Sequence, residues 1–278
     1  MKSANKTISG HTDGRWLALI VLCLGVLMIV LDTTIVNVAL PSIRTDLGFS
    51  EVSLAWVVNA YMLTFGGFLL LGGKLGDLYG HRKLFLIGIV LFTLASLACG
   101  LANSQELLLA ARGIQGLGGA VVSAVALSLI MDMFREEAER AKAMGVFGFV
   151  TAGGGSIGVL LGGILTGSFN WHWVFLVNIP VGILVFILSL RLIPKVPVTG
   201  SGKLDVLGAL SVTSALMIAV YAIVGGNEMG WTSVRTLGLL GLSVALLGVF
   251  LAIESNVKHP LMPLGLFKSR NVSTANII

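Results

Sequence analysis

Asp32 and Arg112 are the two charged residues that stand well inside long apolar stretches of the chain. A charged side chain is costly near the centre of a bilayer unless it is paired or hydrated. Two kinds of chemistry are open to such a pair. Carboxylate and guanidinium can lock two helices together as a static ion pair, or the carboxylate can take up and release a proton as its surroundings change. The second reading is preferred, because ionisable groups inside membrane spans mark ion and proton pathways by default. Gln115 follows Arg112 by three residues and shares its helix face, as Asn37 nearly does for Thr33 and Thr34 beside Asp32. Asn37 and Gln115 are therefore expected to line a cavity, although for either alone a helix-to-helix hydrogen bond of about 1 kcal/mol is the simpler role.

The elements that carry these residues follow from composition. Of 278 residues 56% are hydrophobic and 11% charged, with a mean hydropathy of +0.97, whereas a soluble domain carries about 25% charged residues. That leaves too little polar side chain to clothe a water-facing surface. Crossing a bilayer core of ~30 Å takes about 20 apolar residues. Runs of that kind lie at 16–40, 52–72, 84–102, 107–131, 143–166, 173–193, 206–225 and 236–254, which predicts an all-α polytopic membrane protein with eight spans. The run from Trp16 to Leu40 is too long for a secretory signal core and is expected to remain as a span. Cys23 and Cys99 fall at different depths, so no disulfide is expected.

The net charge of +5 is a matter of topology rather than of nucleic-acid binding, because Lys and Arg cluster between apolar runs without a basic groove. With alternate segments assigned inside and outside, Lys2, Lys6, Arg15, Lys74, Arg82, Lys83, Arg135, Arg140, Lys142, Arg191, Lys195, Lys203, Lys258, Lys268 and Arg270 share one side, against Arg44 and Arg235 on the other. The positive-inside rule then places the amino terminus in the cytoplasm. The sequons at Asn5 and Asn271 fall on that side or at a membrane boundary and are chance matches. With this threading, Asp32 lies about 12 Å and Arg112 about 8 Å from the same outer surface, at 1.5 Å per residue. The depths allow a contact.

Glycines crowd the fifth run, where Gly154, Gly158 and Gly162 recur every four residues and make a smooth stripe for close backbone approach, with Gly163 beside it. The string Gly153-Gly154-Gly155-Ser156-Ile157-Gly158 matches a dinucleotide fingerprint, but no strand precedes it. No metal cluster, nucleophile with a partner base, or phosphate loop occurs in a water-exposed segment, so no enzyme, cofactor or metal is expected. Between the second and third runs lies Gly73-Lys-Leu-Gly-Asp77-Leu-Tyr-Gly80-His-Arg82-Lys83. Its glycines permit a tight turn, and Asp77 is placed to accept from a helix amino terminus or from Arg82.

Taken together these motifs resemble the major facilitator superfamily, and within it the fourteen-span drug:proton antiporters of the EmrB/QacA type. Gly73, Asp77, Gly80 and Arg82 match its loop signature, with Leu78 and His81 where basic residues are common. The stretch Leu31-Asp32-Thr-Thr-Ile-Val-Asn37-Val-Ala-Leu-Pro41 is similar to the first-helix signature and Arg112-Gly-Ile-Gln115-Gly116-Leu-Gly-Gly-Ala120 to the fourth. Gly145, Gly154, Gly158, Gly162 and Gly163 match the fifth-helix antiporter signature, with Val159 in place of its proline, and Trp171 to Gly182 resembles the start of the sixth helix. The short link from Pro194 to Asp205, followed by two more spans, favours the fourteen-span branch.

The resemblance implies a cytoplasmic tail (1–15), a six-helix amino-terminal bundle of two three-helix repeats (16–193), a cytoplasmic linker (194–205), two additional helices (206–254), and a cytoplasmic loop opening a ninth helix (255–278). Eight residues after Arg270 cannot cross a bilayer, so the chain is expected to be truncated and its carboxy-terminal bundle missing. The implied activity is proton-coupled efflux of small hydrophobic or cationic compounds across the cell (inner) membrane. Asp32 would take up the proton, Arg112 would bias it, Gly73, Asp77, Gly80 and Arg82 would form a cytoplasmic latch, and the glycine stripe would be the surface on which bundles slide. The alternative is a truncated or half-transporter protein, inactive without a partner chain. The partners implied are the lipid bilayer, protons, a small-molecule substrate and the missing bundle.

Overall fold

In a bilayer core every backbone polar group must be satisfied within its own segment, so long apolar runs can only become helices. The computed structural model describes residues 5–194 and 205–257. Within them lie α1 (Asn5–Leu47), α2 (Glu51–Tyr79), α3 (His81–Gly100), α4 (Gln105–Met133), α5 (Glu137–Ser168), α6 (Trp173–Leu176), α7 (Asn178–Leu192), α8 (Val206–Val224), α9 (Gly226–Met229) and α10 (Val234–Asn256). Among the described residues, eight helical segments are long and apolar enough to cross a membrane, α6 and α7 together making the sixth. The protein is an all-α polytopic membrane protein.

Helix starts are set by side chains that accept otherwise orphaned N–H groups. Ser50 caps α2, Ser104 caps α4, Asp205 caps α8 and Ser233 caps α10. Gly80, at φ 95°, ends α2 and begins α3 within one residue, a backbone state that favours glycine. The helices outlast the apolar runs: α1 continues through Pro41 to Leu47, and α5 begins at Glu137. An apolar run records lipid thickness, and a helix stops only where its capping stops. Most of the expected 194–205 linker and of the 255–278 segment, with the ninth helix, lies outside the described residues.

The first six spans pack as two interleaved triplets. α1 packs chiefly on α5, α4 on α2, and α3 on both α4 and α7. Exchanging the triplets maps the first pair onto the second, which is the pairing of an internal two-fold repeat. The hairpin of α8 and α10 sits against α2, where the Thr213 hydroxyl donates to the Gly67 carbonyl at 2.9 Å. Ser243 donates to the Ala215 carbonyl at 2.9 Å and holds α10 to α8.

Two apolar layers form the core. One contains Met28, Ile29, Ile89, Phe92, Val122 and Val185, and the other Ile35, Val36, Cys99, Leu108, Ala111 and Phe175. Each of α1, α3, α4 and the sixth span contributes to both layers, and each places a polar residue between them: Asp32, Ser96, Gln115 beside Arg112, and Asn178.

Candidate functional site

The belt between the layers is a closed polar cluster. Asp32, Ser96 and Gln115 are fully buried at 0% exposure, Arg112 is at 1% and Asn178 at 2%. The Arg112 guanidinium donates through Nη1 to Asp32 Oδ2 at 2.6 Å and to Gln115 Oε1 at 2.7 Å, and through Nε to the Val57 carbonyl at 2.9 Å. Gln115 returns an N–H to Asp32 Oδ1 at 2.8 Å. Below the cation lies the Tyr61 ring, 4.4 Å from ring centroid to Arg112 Cζ, with Phe175 at 5.7 Å. A buried charge pair offsets its desolvation only when further hydrogen bonds support it, and here Val57, Gln115 and Asn178 supply them.

The sequence places Asp32 and Arg112 at one depth, and the structure brings them into direct contact. Gln115 bridges the pair instead of lining an open cavity. Asn37 stays outside the cluster: it is exposed, and its amide donates to the Thr33 carbonyl at 2.8 Å on its own helix. Ser96 and Asn178 complete the network and were missed by the search for charges. Asn178 donates to Asp32 Oδ1 at 3.1 Å and to Ser96 Oγ at 3.0 Å, and Ser96 donates to the Phe175 carbonyl at 2.9 Å. Their signal was available, since each is an isolated polar residue in an apolar run.

The glycines of α5 divide by face. A Cβ at Gly154 would press on Leu27 and Val30, one at Gly158 would overlap Thr34, and one at Gly162 would meet Val38 and Ile35. The stripe therefore seats α5 on α1, directly over the turn that carries Asp32. Among the described residues its partner is α1 of the same bundle. Gly163 does not belong to the stripe, and nothing approaches its absent Cβ within 4 Å.

The loop motif forms a different clip from the one expected. Asp77 pairs with His81, whose Nε2 lies 3.1 Å from Asp77 Oδ1, and not with Arg82. His81 Nδ1 lies 3.1 Å from Asp132 Oδ2 at the end of α4. The ring thus stands between two carboxylates, one from α2 and one from α4, with a nitrogen in reach of each. Arg82 reaches the other way and donates to the Leu190 carbonyl of α7. Gly80 supplies the turn, and Gly73 borders a cavity of about 480 Å³ between α2 and α4, lined also by Phe65, Asp77 and Ser123. Among the described residues no group of His, Cys, Asp and Glu is arranged to hold a metal ion.

Comparison with known proteins adds the following. The profile of the Major Facilitator Superfamily matches residues 22–257. The puromycin resistance protein pur8 of Streptomyces alboniger is 43% identical over 262 residues, covering 94% of this chain and 52% of that protein. The cephamycin export protein CmcT of Amycolatopsis lactamdurans is 38% identical over 281 residues, covering 100% of this chain and 58% of the relative. Among solved structures, the proton:xylose symporter XylE bound to 6-bromo-6-deoxy-D-glucose superposes with a TM-score of 0.59 at 17% identity, over 86% of this chain and 54% of that one. The chain spans about half the length of the curated relatives it matches.

Proposed function

The chain belongs to the major facilitator superfamily, and on that premise we propose that it is the amino-terminal part of an exporter that expels small hydrophobic or cationic compounds in exchange for protons. Asp32 is the proton site and Arg112 its counter-ion. The observation that carries this reading is the buried Asp32–Arg112 contact at 2.6 Å, held where the two triplets meet. Support also comes from relatives whose names denote antibiotic resistance and export.

Chemically, the cluster suits one half of a coupled cycle. All three donors on Asp32 point at its oxygens, so the site as it stands holds the carboxylate. A proton arriving there turns an acceptor into a donor, and the cluster must then rearrange. His81 and Arg82, which join α2, α3, α4 and α7 at their ends, form the latch for one state of that cycle, with the basic segments on the cytoplasmic face of the cell membrane.

The coverage of about half of each relative favours a second reading, in which the chain is inactive until a partner supplies the remaining spans. Both are tested by expressing the chain together with the carboxy-terminal spans of a relative in membrane vesicles. Efflux of a lipophilic cation driven by an imposed proton gradient is expected, and Asp32→Asn is expected to abolish it while membrane insertion stays normal. Undiminished efflux by the Asn variant would remove Asp32 as the proton site.

A further inference from the structure

The donors around Asp32 do more than neutralise it, because they tie it through Ser96 to the sixth span. The two amide hydrogens of Asn178 go to Asp32 Oδ1 and Ser96 Oγ, and those of Gln115 go to the same two atoms. The Ser96 hydroxyl thus accepts twice and spends its hydrogen on the Phe175 carbonyl. The Gln115 Oε1 accepts from Arg112 and from the Cys99 thiol at 3.6 Å. Asn178 and Phe175 lie three residues apart near the start of the sixth span, on the same side of it. The network is therefore anchored on the sixth span through both a side chain and a backbone carbonyl.

Resting on the reading of Asp32 as the proton site, we propose that Asn178 is the positioning residue that reports the proton state of Asp32 to the sixth span, through Ser96 and the Phe175 carbonyl. A proton on Oδ1 faces two N–H donors and cannot be accommodated there. Gln115 cannot turn its amide over, because that would set an N–H against Arg112. Asn178 can turn. Its carbonyl oxygen then accepts both the Asp32 O–H and the Ser96 O–H, and the Ser96 hydroxyl leaves the Phe175 carbonyl. One proton taken up at α1 thereby loosens the tie between α3 and the first turns of the sixth span. The titratable and charged groups around Asp32 among the described residues are Arg112 from α4, Tyr61 from α2 and Cys99 from α3. The glycine stripe of α5 contributes none, and Asn178 and Phe175 of the sixth span are uncharged.

The test uses the chain in lipid vesicles with Cys23→Ser, which leaves Cys99 as the single thiol of the sequence. Infrared pH-difference spectra are expected to contain a protonated-carboxyl band that disappears in Asp32→Asn, and Cys99 is expected to react faster with a small maleimide as that band appears. Asn178→Ala is expected to move the band to higher pH by about one unit, since a donor to the carboxylate has been removed. Ser96→Ala keeps the Asn178 bond to Asp32, so the band should hold its midpoint while Cys99 labelling loses its pH dependence. If the band is present and both variants keep the original pH dependence of labelling, the relay is overturned and Asp32 stands as the proton site. If Asp32→Asn keeps the band, the reading of Asp32 itself falls. Should Asn178→Ala fail to insert, Ser96→Ala alone decides the matter.

Discussion

At the residue scale the cluster joins two opposite demands. Buried charges are stable only when saturated with partners, yet a transport cycle requires that saturation to be broken and remade. Removal of one member strands the other, so Arg112→Leu should cost about 3–5 kcal/mol, whereas the double variant Asp32→Leu with Arg112→Leu should recover most of that loss. Thermal unfolding of the purified chain in detergent checks both, and equal losses in the two would show that the cost is packing and not unpaired charge. The His81 clip answers to the same logic at a wetter site. His81→Arg supplies a cation that can reach two carboxylates and should leave the unfolding temperature nearly unchanged. His81→Ala removes both contacts and should lower stability by about 1 kcal/mol, the scale of a part-exposed polar pair.

At the element scale the decisive feature is the facing of α5 on α1. Gly158 leaves no space for a methyl group beside Thr34, so Gly158→Ala must push the helices apart above Asp32. Gly163→Ala meets open space and removes a helix-weakening glycine, which is worth up to about 1 kcal/mol of added stability. The expected pattern in thermal unfolding is a loss for the first and no loss for the second. Equal behaviour would contradict the assignment of faces. The i,i+3 spacing of Phe175 and Asn178 belongs to this scale too, because it lets one helix face present both to the same Ser96 hydroxyl.

On the scale of the whole molecule, two triplets interlock and the α8–α10 hairpin rests against α2. If the basic segments face the cytoplasm, a membrane-impermeant reagent added outside intact cells should label a cysteine at Arg44→Cys and spare one at Lys83→Cys. Labelling of both from one side would break the threading and the transport reading together. The polar belt between two apolar layers also explains why the site is closed to bulk solvent in this conformation: access requires the bundle to part along the belt, which packing in either layer opposes.

How much of this was legible beforehand follows the physics of helices. Rise per residue is a local property, so eight spans and the common depth of Asp32 and Arg112 could be read from spacing. Hydropathy depends on composition, so the membrane class could be read as well. Rotation about a helix axis is set by neighbours that are distant in the chain. For that reason the sequence could not tell that Asn37 stands apart from Gln115, that Gly163 lies off the face that meets α1, or that Asp77 meets His81. Asp132 meets His81, and Asn178 meets Asp32, only because packing sets the azimuth of each helix and spends every buried donor on an acceptor.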